Sequence, residues 1–259
     1  MQTIPDHSVT GAGDVTVFLL HGAFGAKDYW RAQTAALVAA GYRVVAWDAP
    51  GYGLSPLPRP FTIEVAAAAL RRLIDAAGGA RNVLLGHSMG GMVAQRAYGL
   101  DPARIHGLVL SSTSAAFGRP DGEWQRKFVA DRVAPLDAGQ SIAEYAPRMV
   151  PTMMRPGAAG PAVDLVVSTI AGMREETFRA AIEAIVAYEG RDVLPKIQVP
   201  TLCIAGALDQ TAPASVMEKM AGRIAGAEFV CLPDLGHFGW AEDPAAFNRV
   251  VLSFLKARL

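Results

Sequence analysis

The chain has 259 residues, enough for one large domain or a domain carrying an insertion, since single hydrophobic cores seldom grow beyond about 300 residues. Hydrophobic residues make up 51% and 24 basic residues balance 24 acidic ones, so the basic excess of a nucleic-acid-binding surface is missing. No apolar run approaches the roughly 20 residues needed to span a bilayer, and the start MQTIPDHSVTGAGD lacks the layout of a secretion signal, so a cytoplasmic protein with no membrane partner is expected.

Six short apolar runs, each bounded by Gly, Asp or Pro, read as strands of a parallel sheet covered on both faces. In chain order they are VTVFLLHG from Val15, YRVVAWDAPG from Tyr42, NVLLGHS from Asn82, IHGLVLSST from Ile105, TLCIAGALD from Thr201 and EFVCLPDLGH from Glu228. Cys203 and Cys231 fall in the last two, where buried reduced thiols are expected rather than a disulfide or a metal site. A helix is predicted over residues 62–77, starting at Thr62, with apolar positions Val65, Ala66, Ala69, Leu70 and Leu73 and a stop at Gly78 and Gly79. A last helix is expected to be capped by Asp243 and to carry Pro244 in its first turn, with Phe247, Val250, Val251, Phe254 and Leu255 forming one stripe at helical spacing. Between Thr113 and Val199 the strands stop. Val163, Val166, Val167 and Ile170, then Phe178, Ala181, Ile182 and Ile185, keep helical spacing, so residues 118–191 are expected to form a helical cap between core segments 1–117 and 192–259.

Gly86-His87-Ser88-Met89-Gly90 fits G-x-S-x-G at the junction of a strand and a helical pattern. A phosphate-binding P-loop needs Gly-Lys-Ser/Thr, and a dinucleotide fingerprint needs glycine where Ser88 stands, so neither applies. Two readings remain, a plain tight turn, since glycine and serine are common in turns, and a nucleophile elbow, where the chain turns so sharply that only small residues fit around the serine, a requirement that Gly86, Gly90 and Gly91 meet. A serine hydroxyl at its ordinary pKa attacks poorly, so a histidine base oriented by a carboxylate must follow. Asp209 stands just past one strand and His237, the only histidine after it, just past the next. Asp209 also suits a helix cap, and Asp234 is the competing acid in the loop of His237 itself. The oxyanion that forms needs two backbone N–H donors. Met89, directly after the serine, is one candidate; Ala23 in HGAFG is the other, with Phe24 as second choice.

HGAFG, DAPGYGLS, GHSMGG, GALD and GHFGWAEDP, in this order, resemble the α/β-hydrolase fold superfamily along nearly the whole chain. The resemblance implies an α/β fold with a mostly parallel eight-stranded sheet flanked by helices, a helical cap inserted after the sixth strand, a Ser88–His237–Asp209 triad, and no metal or cofactor. Within the serine branch the chain is similar to 3-oxoadipate enol-lactonases and related carboxylic-ester hydrolases, so a small ester or lactone is the expected substrate. GHFGWAEDP is also similar to carbon–carbon bond hydrolases of aromatic meta-cleavage pathways, which places Phe238 near the substrate and keeps that reaction as the alternative. A ligand-binding member without catalysis and a perhydrolase side activity are further alternatives. Phe24, Trp124, Met149 and Met153 are expected to line an adaptable apolar pocket, with Met154, Met173, Phe128 and Tyr145 nearby. Arg119, Arg126, Arg132, Arg148 and Arg155 are candidates for binding a substrate carboxylate.

Overall fold

A computed structural model describes residues 3–119 and 121–259. The chain runs β1 (His7–Thr10), β2 (Val15–Leu20), α1 (Arg31–Ala39), β3 (Arg43–Trp47), α2 (Ile63–Ala77), β4 (Arg81–His87), α3 (Met89–Leu100) and β5 (Gly107–Ser111). Four helices follow without a strand: α4 (Glu123–Asp137), α5 (Ile142–Met149), α6 (Pro161–Ala171) and α7 (Glu175–Ala187). The sheet then resumes with β6 (Thr201–Gly206), α8 (Ala214–Ala221), β7 (Glu228–Leu232), α9 (Gly239–Glu242) and α10 (Pro244–Arg258).

The strands form one sheet in the order β1-β3-β2-β4-β5-β6-β7, with only β1 antiparallel. The expectation of eight strands is therefore corrected to seven among the described residues, and the helical stretch follows the fifth strand rather than the sixth. A single four-residue strand precedes β2 and pairs along the outer edge of β3. Every residue of β2, β5 and β6 is buried, as covered parallel strands require. The edge strand β7 is packed on one side alone, so Cys203 in β6 is buried whereas Cys231 in β7 is exposed, which corrects the expectation for Cys231.

Local signals hold where they were strongest. Thr62 caps α2 by accepting the Val65 N–H at 3.2 Å, and Asp243 caps α10 by accepting that of Ala246 at 2.9 Å. Apolar stripes of α6 and α7 are buried at Val163, Val166 and Ile170 and at Phe178, Ala181, Ile182 and Ile185, while Val167 is half-buried. The sheet also fixes where chemistry can occur. From β2 the chain crosses outward to β3, then returns to the other side of β2 as β4, leaving a crevice at the carboxyl ends of β2 and β4. The DAPGYGLS segment after β3 stiffens one flank: Lys27 Nζ bridges Asp6 at 2.5 Å and Asp48 at 2.6 Å, tying the leader to β3.

Candidate active site

Ser88 stands at the end of β4 and caps α3 with φ 52° and ψ −119°, a strained conformation for a residue with a side chain. Its surroundings hold it there. The Ser88 N–H donates to Ser111 O at 2.9 Å and the Thr113 hydroxyl donates to Ser88 O at 2.6 Å. Three glycines clear the space for the turn. A Cβ on Gly86 would run into Gly90, one on Gly90 into the Leu20 carbonyl, and one on Gly91 would lie 2.6 Å from the Thr113 methyl. Helix α3 thus presses against the ends of β2 and β5 as no helix with side chains at those positions could.

The loop after β2 closes the other side. His21 is fully buried; its Nδ1 donates to Gly22 O at 2.8 Å and its Nε2 accepts the Ala49 N–H at 3.0 Å, which fixes a neutral tautomer. Burial pushes its pKa below the ordinary histidine value. Tyr29 and Tyr52 complete the brace, with Gly22 N–H donating to Tyr29 Oη and Tyr52 Oη donating to Ala23 O, both at 2.9 Å. Gly22 is consequently close enough to the elbow that a Cβ there would sit 3.1 Å from Ser88 Cβ. Ala23 follows in this braced loop, and Met89 is the first residue of α3, whose N–H has no intrahelical acceptor.

Asp209 and His237 come from the ends of β6 and β7. His237 Nδ1 donates to Asp209 Oδ2 at 2.9 Å with both side chains buried, and Asp209 Oδ1 accepts the N–H groups of Thr211 and Ala212 at 2.8 and 2.9 Å. The Asp therefore orients the histidine and caps its own turn with separate oxygens. Asp234 is exposed. Ser88 and His237 share the wall of a cavity of about 420 Å³, with Met92, Phe117, Trp124 and Phe128 among its apolar residues.

Of the residues expected in the substrate pocket, Trp124 lines this cavity although 46% exposed. Phe24, Met149, Met153 and Phe238 do not line it. Phe24 stacks on Phe178 with ring centres 5.2 Å apart, and Met149 faces a separate cleft. Met153 contributes its backbone carbonyl to the His237 N–H at 2.8 Å, and Phe238 packs on His87 and His237 at 5.6 and 5.3 Å. Fully apolar side chains behind a histidine serve packing as readily as binding, and spacing alone does not separate the two roles.

One buried group escaped the sequence reading. The Glu242 carboxylate accepts the N–H groups of Gly236 at 2.9 Å and Phe238 at 3.0 Å, the two neighbours of His237, and that of Arg155 at 2.8 Å. It clamps the histidine loop from both sides and joins it to the segment after α5. The available signal was an acidic residue inside the otherwise buried run GHFGWAE.

Comparison with known proteins identifies the family. A model of the alpha/beta hydrolase family matches residues 17–250. A provisionally named carbamate hydrolase, RutD, from Variovorax paradoxus is 32% identical, covering 96% of this chain and 95% of that one. A thermophilic esterase from Thermogutta terrifontis, solved with malate bound, superposes with a TM-score of 0.84 at 30% identity, covering 97% and 93% of the two chains. The enol-lactonase from Burkholderia xenovorans LB400 gives 0.84 at 27% identity, over 97% and 96%. With its strand order, elbow and family match in agreement, the chain belongs to the alpha/beta hydrolase family.

Proposed function

We propose that the protein hydrolyses small carboxylic esters or lactones through an acyl-enzyme on Ser88, with His237 as base and then acid and Asp209 as its orienting group. One observation carries this reading: His237 shares a cavity with Ser88 while its Nδ1–H is held by the buried Asp209 carboxylate at 2.9 Å. A neutral ring protonated at Nδ1 keeps its lone pair at Nε2. That nitrogen takes the Ser88 proton as Oγ adds to the carbonyl carbon. Charge builds on the carbonyl oxygen, and the Ala23 and Met89 N–H groups stabilise it, each such donor being worth about 2.7–4 kcal/mol. The imidazolium then protonates the departing alkoxide. Water repeats the cycle on the acyl-enzyme, giving its proton to His237 and freeing the acid and Ser88.

The substrate class follows from the lining and the relatives. Among the described residues the cavity wall holds no Asp, Glu, Lys or Arg, which suits an uncharged scissile group. The relatives named as an esterase, an enol-lactonase and a carbamate hydrolase all attack an acyl carbon. Residues 118–191 act as a lid over it, contributing Phe128 and Trp124 to the wall.

A fluorophosphonate probe tests the assignment. A single adduct mapping to residue 88, with both labelling and ester turnover lost in Ser88→Ala, is expected. Labelling at another residue, or unchanged turnover in Ser88→Ala, overturns it.

A further inference from the structure

Ser88 and Ser112 are the two residues other than glycine with positive φ among the described residues, at 52° and 44°. Ser112 stands one residue past β5, which runs parallel to β4 with Ser111 opposite His87, so it is the strand neighbour of the nucleophile. Adjacent strands lie about 4.8 Å apart. The backbone around Ser112 is pinned on both sides. Its N–H donates to Ile204 O at 2.9 Å, Ser111 O accepts the Ser88 N–H, the Thr113 hydroxyl donates to Ser88 O, and the Thr113 N–H donates to Met217 Sδ at 3.2 Å. Glycine would adopt φ 44° without strain, whereas serine is strained there and brings a hydroxyl with it.

The protein itself makes no use of that hydroxyl. Ser112 is 3% exposed and lines the cavity it shares with Ser88 and His237. In the same wall Thr113 donates to Ser88 O at 2.6 Å and Ser114 to Ala116 O at 3.1 Å, whereas Ser112 Oγ and Thr211 Oγ1 have no hydrogen-bond partner among the described residues and open onto the cavity. A buried hydroxyl costs free energy unless something bonds it, and here only the contents of the cavity can. Since no described residue of the wall is charged, a neutral oxygen is the matching partner. The acyl half of an ester stays bonded to Ser88 through both chemical steps, so a hydroxyl one strand away meets its first carbons. We infer that Ser112 is a specificity-determining residue that hydrogen-bonds an oxygen substituent of the acyl chain, with Thr211 as a second contact, so that the preferred substrates are esters of short hydroxy acids. The inference rests on the esterase reading. A substrate hydroxyl both donates to and accepts from these side chains, which a methyl group in its place cannot do.

Methyl esters of one shape test it: (R)- and (S)-3-hydroxybutyrate against 3-methylbutyrate, in which a methyl group replaces the hydroxyl, each followed by acid release. Wild type is expected to favour one hydroxy enantiomer over 3-methylbutyrate by about fivefold or more in kcat/KM, as a single neutral hydrogen bond allows. Ser112→Gly removes the hydroxyl, suits φ 44°, and should bring that ratio close to one, mainly through a higher KM for the hydroxyacyl ester. Thr211→Val, of the same shape, should lower the ratio in part. Equal turnover of hydroxyacyl and methyl-branched esters by wild type overturns the inference and leaves the esterase reading standing. So does a ratio that survives Ser112→Gly, including a variant slowed by one common factor on all three esters, since Ser112 would then serve the elbow alone. Absence of turnover on every ester overturns the esterase reading, and the inference with it.

Discussion

Asp209 shows how one residue satisfies two demands that the sequence presents as competing. A carboxylate before TAPASVMEKM is a helix-cap signal, and the same carboxylate past a strand is a triad signal; the two oxygens serve both. Asp209→Asn should keep the turn, since the amide oxygen can still accept from Thr211 and Ala212, but it presents an N–H to His237 Nδ1 and favours the wrong tautomer. The expected loss in kcat is about 10⁴-fold with a preserved fold, whereas exposed Asp234→Asn should change little. Glu242 requires a different measurement. Glutamine there offers one acceptor oxygen to three converging N–H groups and turns an amide against them, so the histidine loop loosens. A fall in kcat of about 10–100-fold with KM nearly unchanged is expected, together with slower fluorophosphonate labelling of Ser88. A variant that loses stability yet keeps wild-type kcat would reduce Glu242 to a purely structural role.

At the scale of elements, the legible parts are those where residue type and spacing constrain the backbone directly. Six of the seven strands are apolar runs between turn residues, and the elbow announces itself because a serine at φ 52° needs Gly86, Gly90 and Gly91 around it. What spacing did not reveal were features decided by tertiary packing. The first strand, HSVT, is mostly exposed and exists because β3 offers a free edge, so it carries no apolar signature. The methionines at 149 and 153 are buried as expected of a pocket, yet periodicity gives no direction, and they face a different cleft and the histidine loop. Gly90→Ala tests how tightly the elbow is built. Its new Cβ meets the Leu20 carbonyl, a backbone atom of the central sheet that cannot swing aside, so β2 and α3 must separate. A stability loss of about 3 kcal/mol in urea denaturation is expected, with turnover falling even in the folded fraction. A variant as stable as wild type would mean that the helix can retreat freely.

Across the whole molecule, the site is built on buried neutral histidines, and this shapes its response to pH. His21 locks the loop after β2, and His87 lies among His237, Phe238, Trp30 and Trp240 with no hydrogen-bond partner for either ring nitrogen. Burial lowers the pKa of His21 and, more strongly, that of His87, where the neighbouring His237 adds to the effect. Above pH 6.5 both residues are neutral in the folded and unfolded chains and pH has no leverage through them. Below it the unfolded chain takes up protons that the folded one refuses, so stability falls as pH drops, by up to about 1.4 kcal/mol per pH unit for each histidine. The paired carboxylates act in a lower window: Asp6, depressed by Lys27, and Glu189, depressed by Arg191, lose their contribution only as pH falls below about 4. Urea denaturation at pH 7.5 and 5.5, both above the carboxylate window, is therefore expected to show the lower stability at pH 5.5. His87→Phe removes the more strongly depressed of the two rings and should take away the larger share of that pH-dependent loss. A wild type equally stable at both values would show that the two rings accept protons in place, and that the loop beside the elbow is more open to water than its packing indicates.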